Sequence, residues 1–308
     1  MIFDQFKNLT RERTIKATIG MSREKFGSLV DVFANSYNAI QQERLKNKEI
    51  KRIKNSGPTG ILDTPEKQLF FVLYYLKTYP TFDVLGFHFD LSAGHAHDYV
   101  VCYLSVLQHS LETLGAAPKR EISDPKEFMQ LIEKYDKILI DGTEASCVRP
   151  ADNDEQENRY SGKKKRHTVK SLVISTQDKN IIYISSVYGG CTHDYAMMED
   201  CFPTTEPWFD KIDALADLGF LGASKDYSAS ISLPHKKPRK SKSNPSPQLT
   251  DIQKQENRAH SKIRVAVENA IGGMKHFYCL THRIRNHSTE LIDQFFGLSA
   301  GLWNFKTS

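Results

Sequence analysis

The stretch HTVKSLVISTQDKNIIYISSVYGG, residues 167–190, holds two runs rich in β-branched and aromatic residues, joined by the polar QDKN. That composition predicts a β-hairpin. Working outward, KILI at 137–140 predicts an earlier strand that ends at Asp141, with DGT turning the chain. Downstream, THDYAMMEDC predicts a helix beginning at Thr192, and KIDALADLGF supplies a further strand-like run reaching Asp217. Residues 222–250 are polar, basic and proline-bearing, and read as an insertion or flexible loop. A helix from about Arg258 to His276 then places Ile263, Val267, Ala270, Ile271 and Met274 on one face. Three strands, a helix, a strand, a loop and a helix make an α/β layout that opens with an antiparallel meander.

The chain before residue 118 has a different texture. Residues 1–60 are polar and helical with a basic segment, RLKNKEIKRIK at 44–54, and NSGPTG at 55–60 has loop chemistry. Asp63 or Thr64 then caps a helix whose first residue is Pro65. A short helix, TFDVLGFHF, a turn at DLSAG and a longer helix follow, and three helices with a tight turn before the third match a helix-turn-helix. The third helix carries few DNA-facing candidates, namely Ser92, His95, His97 and Asp98, and no Lys or Arg between Leu91 and Pro118. The expected division is 1–60, a helix-turn-helix domain at 61–118, a linker at 119–134, and an α/β domain at 135–308 carrying the insertion at 222–250.

Composition narrows the function classes. The 308 residues carry a net charge of +5, which permits a nucleic-acid partner without requiring one. The five cysteines form no CxxC pair, so neither a zinc ribbon nor a thioredoxin-like site is expected. No apolar run is long enough to span a bilayer, since LFFVLYYL at 69–76 is far too short. The expectation is therefore a cytoplasmic protein with no membrane partner.

Three separated carboxylates carry the chemistry. Asp141 and Asp217 each stand at a strand end near a glycine; the plainer reading of either is an Asp opening a turn. Glu268 lies in RVAVENAIGGMKHF (264–277), a helix in which Arg264, Gly272 and Lys275 share its stripe. An exposed Glu paired with those cations explains the charges but not Gly272 and Gly273, whose missing side chains let a metal or a phosphate approach. Such a set suits two divalent ions roughly 3.5–4 Å apart in phosphodiester transfer, Mg²⁺ or Mn²⁺. Asp194, in GGCTHDYAMM, is a fourth candidate and also reads as helix-start chemistry. Lys163, Lys164, Lys165 and Arg166 form a basic run just before a strand, read either as a solvated hairpin arm or as a phosphate contact, and Arg264 and Lys275 on the stripe of Glu268 are expected to contact phosphate as well.

The ordered motifs DGTEASCVRP, YSGKKKRHTVKSLVIS, GGCTHDY, ADLGFLG and IRVAVENAIGGMKHF closely resemble the DDE-type transposases of bacterial insertion sequences, in the branch related to the PIF/Harbinger elements. The resemblance covers roughly 60–300. It implies an RNase H-like catalytic domain, a mixed sheet flanked by helices, preceded by an all-α helix-turn-helix domain. It implies that Asp141, Asp217 and Glu268 are the catalytic, metal-holding carboxylates, with Lys275 as the basic residue on the helix of the Glu and Asp194 in the family's His-Asp motif. It further implies DNA partners (terminal inverted repeats and a target), a dimer or larger assembly on DNA, and a bacterial, nucleoid-associated location. The expected reaction is cleavage at the ends of the chain's own element and joining to a target. The alternative is a domesticated or inactive copy that only binds DNA. A phosphatase of the haloacid-dehalogenase type wants a second Asp two residues after the first, where Thr143 stands.

Overall fold

The computed structural model describes residues 2–53, 60–227, 231–242 and 244–308, and contacts divide the chain into two units, Met1–Ala117 with Met274–Ser308 and Pro118–Gly273. Of the loop expected at 55–60, residues 55–59 lie outside the described residues.

The first unit is helical. It begins with α1 (Ile2–Lys7), α2 (Glu12–Ile19) and α3 (Arg23–Lys46), and continues with α4 (Pro65–Thr78), α5 (Phe82–Phe89) and α6 (Ala93–Thr113). Thr64 caps α4 through Lys67 N–H and Pro65 opens it. Thr81 caps α5 and Ser92 caps α6 in the same way, each satisfying an otherwise orphaned N–H. The turn between α5 and α6 is tight because Gly86 has no side chain: a Cβ there would stand 2.4 Å from the Leu91 carbonyl oxygen. Buried Leu69, Phe70, Phe71, Leu73, Phe89, Val100 and Leu104 form the interior, so the apolar run at 69–76 is core.

The second unit holds the sheet. In chain order it contains α7 (Pro125–Ile132), β1 (Lys137–Ser146), α8 (Asn153–Arg159), β2 (Tyr160–Ser161), β3 (Arg166–Thr176), β4 (Ile181–Ile184), β5 (Tyr188–Gly189), α9 (Asp194–Cys201), β6 (Asp213–Leu215), α10 (Ala223–Asp226), β7 (Ile231–Ser232) and α11 (Asp251–Met274). The sheet order is β2-β3-β1-β6-β7, with β4 and β5 also pairing along β3. β1, β3 and β4 form the expected antiparallel meander; β6 joins the other side of β1 in parallel, and β7 follows β6. This mixed sheet with flanking helices is the RNase H-like arrangement. A buried core cluster of this unit packs Phe128, Phe202, Trp208, Phe209 and Tyr227 near Ile138, Ile140, Leu172 and Ile174.

Several expectations change. β1 does not end at Asp141 but runs on to Ser146, because Gly142, Thr143 and Glu144 stay paired with Leu172, Ser171 and Lys170 of the long β3. The stretch at 222–250 is not loop throughout, since α10 and the edge strand β7 form within it. The first helix after the hairpin begins at Asp194, and α11 starts at Asp251, well before Arg258.

The chain end, with α12 (Tyr278–Thr281) and α13 (Thr289–Thr307), groups with the first unit, whereas the sequence division carried the α/β domain to 308. α13 lies against α6. Gly301 permits this approach, with a Cβ there 3.0 Å from Leu111, and Asn304 Nδ2 donates to the Ala116 carbonyl at 3.0 Å.

Candidate active site

Asp141 lies in β1 on the face of Leu139 and Thr143, opposite the face of Ile138 and Ile140. Its Oδ1 accepts from Gly142 N–H at 2.8 Å, and its Oδ2 lies 2.8 Å from Arg264 Nη2 of α11. Both side chains of this ion pair are largely buried, 11% exposed for Arg264 and 18% for Asp141. Asp217 follows β6 by two residues and caps a short 3₁₀ turn, Leu218–Phe220, by accepting from Gly219 N–H at 2.7 Å.

Asp194 opens α9 but does more than start a helix. Its Oδ1 pairs with Lys170 Nζ of β3 at 3.0 Å, and the same ammonium donates to the Thr192 carbonyl at 2.8 Å. Two glycines give Asp194 its place. A Cβ on Gly142 would stand 3.1 Å from Asp194 Oδ1; one on Gly219 would stand 2.7 Å from Asp194 Oδ2 and 2.8 Å from Asp217 Oδ1. Asp141, Asp194 and Asp217 therefore converge, brought from the central strand, the start of α9 and the end of β6.

The crowding is visible in Asp141, whose carboxyl is pushed from the usual 3.8 up to about 6. Burial is the largest cause, opposed by the Arg264 guanidinium and reinforced by the Asp217 and Asp194 carboxylates. Around it, Arg264 Nε and Thr143 Oγ1 are buried and have no hydrogen-bond partner among the described residues.

Glu268 is exposed and sits one helical turn beyond Arg264, so α11 carries it past the residue that touches Asp141. Lys275 falls one residue after α11, in the first unit. Lys163, Lys164 and Lys165 are exposed ahead of β3, and exposed Arg166 opens it, with Lys165 in a left-handed turn at φ 55°. Sequence reasoning overlooked Lys170 and Gly219. The signal for Lys170 was a lone cation in the apolar run HTVKSLVIS; that for Gly219 was a second glycine close behind a strand-end Asp.

As the side chains stand, no three His, Cys, Asp or Glu residues are grouped closely enough to hold a metal ion among the described residues. Arg264 and Lys170 occupy Asp141 and Asp194 instead. The donor chemistry nevertheless fits a divalent cation: the converging donors are hard carboxylate oxygens, and one is raised, chiefly by burial and further by neighbours of its own sign.

A raised acid has a definite sign in linkage. Protonated Asp141 favours the folded state, so its contribution is complete below pH 3.8 and is lost as pH rises through about 6. The loss is on the order of 3 kcal/mol, and a divalent ion bound beside it, which would favour the ionised form, would offset it. Melting temperatures with and without Mg²⁺ are expected to show a larger metal-induced rise at neutral pH than in mild acid. Asp141→Asn should abolish that difference, and an equal rise at both pH values in the wild type would contradict the assignment.

Sequence comparison agrees with the architecture. The profile of the family described as DDE superfamily endonuclease matches residues 140–304, and that described as helix-turn-helix of DDE superfamily endonuclease matches residues 62–113. A probable transposase for insertion sequence element IS702 of Microchaete diplosiphon is 27% identical over 311 residues, covering 99% of this chain and 98% of the relative. No solved structure matches. Among the described residues no helix is long and apolar enough to cross a membrane. With the family profile spanning more than half of its length, the chain belongs to the DDE superfamily endonucleases, divalent-metal-dependent enzymes, and carries their DNA-binding helix-turn-helix ahead of the catalytic fold.

Proposed function

We propose that this protein is a DNA transposase that cleaves the ends of its own insertion element and joins them to a target. The reading is carried by the convergence of Asp141, Asp194 and Asp217 on an RNase H-like sheet. The full-length similarity to an insertion-sequence transposase supports it. Asp141 and Asp217, with Glu268 from α11, would hold two divalent ions, Mg²⁺ or Mn²⁺. Bound there, such ions supply positive charge against the developing charge on phosphate and acidity for the attacking hydroxyl.

The protein's own residues set up the reaction. Arg264 and Lys170 neutralise Asp141 and Asp194 and keep the carboxylates in place. Arg264 keeps a buried, unpartnered Nε, a donor suited to a phosphate oxygen once substrate arrives. Lys163, Lys164, Lys165 and Arg166 would bind the DNA backbone, with Lys275 a further phosphate contact. The helix-turn-helix domain, 61–118, would seat the terminal repeats ahead of a catalytic domain at 135–308. Two element ends must be held together for joining, which calls for a dimer or larger assembly on DNA, at the nucleoid of a bacterial cytoplasm.

The test is cleavage of a labelled duplex carrying the inverted repeat that flanks the gene. The expected result is nicking at the repeat boundary that requires Mg²⁺ or Mn²⁺ and stops on chelation. Retained repeat binding with no cleavage under any divalent ion would support a copy that only binds DNA.

A further inference from the structure

Next to the carboxylates the second unit carries an open cavity of about 1030 Å³ that the proposed chemistry leaves unused. Asp194, Gly219 and Lys170 form one rim, and the cavity extends from them to Tyr160 and Lys163. Its wall is built by close packing. A Cβ on Gly190 would stand 2.1 Å from Thr168 Oγ1 and 2.7 Å from the Arg159 carbonyl oxygen, and one on Gly189 would stand 2.2 Å from Asn158 Oδ1. Only glycines let the end of α8 lie against β5 this closely, and that contact fixes Tyr160, the next residue, at the cavity.

The lining combines an aromatic surface with cations. The Tyr160 side chain is 44% exposed and meets the His167 ring edge-on, with centroids 5.7 Å apart and planes at 70°. Lys163 and Arg149 line the same space, and neither has a carboxylate partner among the described residues. Arg149 is oriented by its Nε, which donates to Gln156 at 2.7 Å. Glu157 is the acidic member not paired with a cavity lysine.

We propose that this cavity receives a single unpaired nucleotide of the DNA strand that passes the carboxylates. Its base lies against Tyr160 and His167, and its phosphate faces Lys163 and Arg149. This rests on the reading of the protein as a DNA-cleaving enzyme and names a subsite within it. The volume, near the top of the range of roughly 300–1,000 Å³ common for small-molecule sites, is enough to admit one nucleotide. Unstacking a base has a cost that stacking on an aromatic ring offsets, and every base has a face to stack, so the site tolerates any sequence. Contiguity with Asp194 and Gly219 makes that nucleotide a neighbour of the scissile phosphate.

Cys191 also lines the cavity and is the exposed cysteine of the five, the others being buried or half-buried. The full chain is bound to repeat-end duplexes in which the fluorescent base analogue aminopurine replaces each base around the cleavage position in turn. Cys191 alkylation is followed in parallel. The expected result is a fluorescence rise of several-fold at one position, together with at least fivefold slower alkylation. Tyr160→Ala should raise the single-stranded oligonucleotide concentration needed for protection by roughly five- to a hundredfold. Lys163→Ala, at an exposed position, should weaken protection and flatten its salt dependence without touching the fold. Wild-type cleavage with Cys191 freely alkylated, or protection with no unstacked base at any position, overturns the subsite and leaves the transposase reading standing. Failure of the wild type to cleave at all counts against that reading instead.

Discussion

Asp217→Asn is expected to slow cleavage of a repeat-end substrate on the order of a thousandfold or more while leaving DNA binding and folding nearly unchanged. The asymmetry follows from what the side chain does. Its structural task is to accept the Gly219 N–H at 2.7 Å, and an Asn carbonyl oxygen can still accept that bond, though more weakly. Its proposed chemical task is to hold a cation beside Asp194, and a neutral amide loses the charge that task needs. Melting temperature and repeat binding should therefore stay close to wild type, whereas single-turnover cleavage collapses. Asp141→Asn is a less clean probe, because it also leaves the largely buried Arg264 guanidinium without its carboxylate.

Phe202→Ala should produce the largest loss of stability in the second unit, about 3–5 kcal/mol. The ring is fully buried, and its centroid lies 5.2 Å from Phe128, 5.2 Å from Tyr183, 5.3 Å from Trp208 and 5.5 Å from Phe209. Those partners come from α7, β4 and the segment between α9 and β6, so none can collapse into the vacancy without moving an element. The backbone carbonyl of Phe202 also accepts the Tyr227 hydroxyl, which ties α10 to the same cluster. A urea titration is expected to show a lower midpoint with an unchanged slope, and cleavage activity should be lost on mild warming yet present in the cold. A loss of stability under about 1 kcal/mol, taken from the midpoint shift and the slope, would mean that the aromatic cluster is not the keystone of this sheet.

Much of the fold is legible because its elements follow simple periodicities. The β-branched runs of 167–190 pair as the expected hairpin, and Thr64 with Pro65 opens α4 as its chemistry dictates. What escapes the sequence is decided by partners far along the chain. DGT has turn chemistry locally, but β3 is long enough to keep Gly142 and Thr143 in the ladder, so tertiary pairing overrides the local preference. α13 packs on α6 through contacts distant in sequence, among them Gly301 against Leu111 and Asn304 with the Ala116 carbonyl.

The same holds for the site. Asp141 and Asp217 are conspicuous as acids beside glycine near strand ends, and the structure brings them together with Asp194. The structure also gives Asp194 a function beyond helix initiation, which its position in THDY could not reveal: its partner Lys170 lies 24 residues away. Arg264 was expected to meet phosphate, and it meets Asp141 in the absence of DNA. Both basic side chains, Arg264 and Lys170, pair with carboxylates that the proposed cations would bind.

The central claim is that a carboxylate from α11 completes the set begun by Asp141 and Asp217. The direct measurement is single-turnover cleavage of the repeat-end duplex by Glu268→Gln, at protein concentrations that saturate DNA binding. Because Glu268 is exposed, the substitution leaves the fold intact, and any effect reports on chemistry. The account predicts full binding with cleavage reduced on the order of a thousandfold. Cleavage at the wild-type rate would contradict it and would leave Asp194 as the third carboxylate.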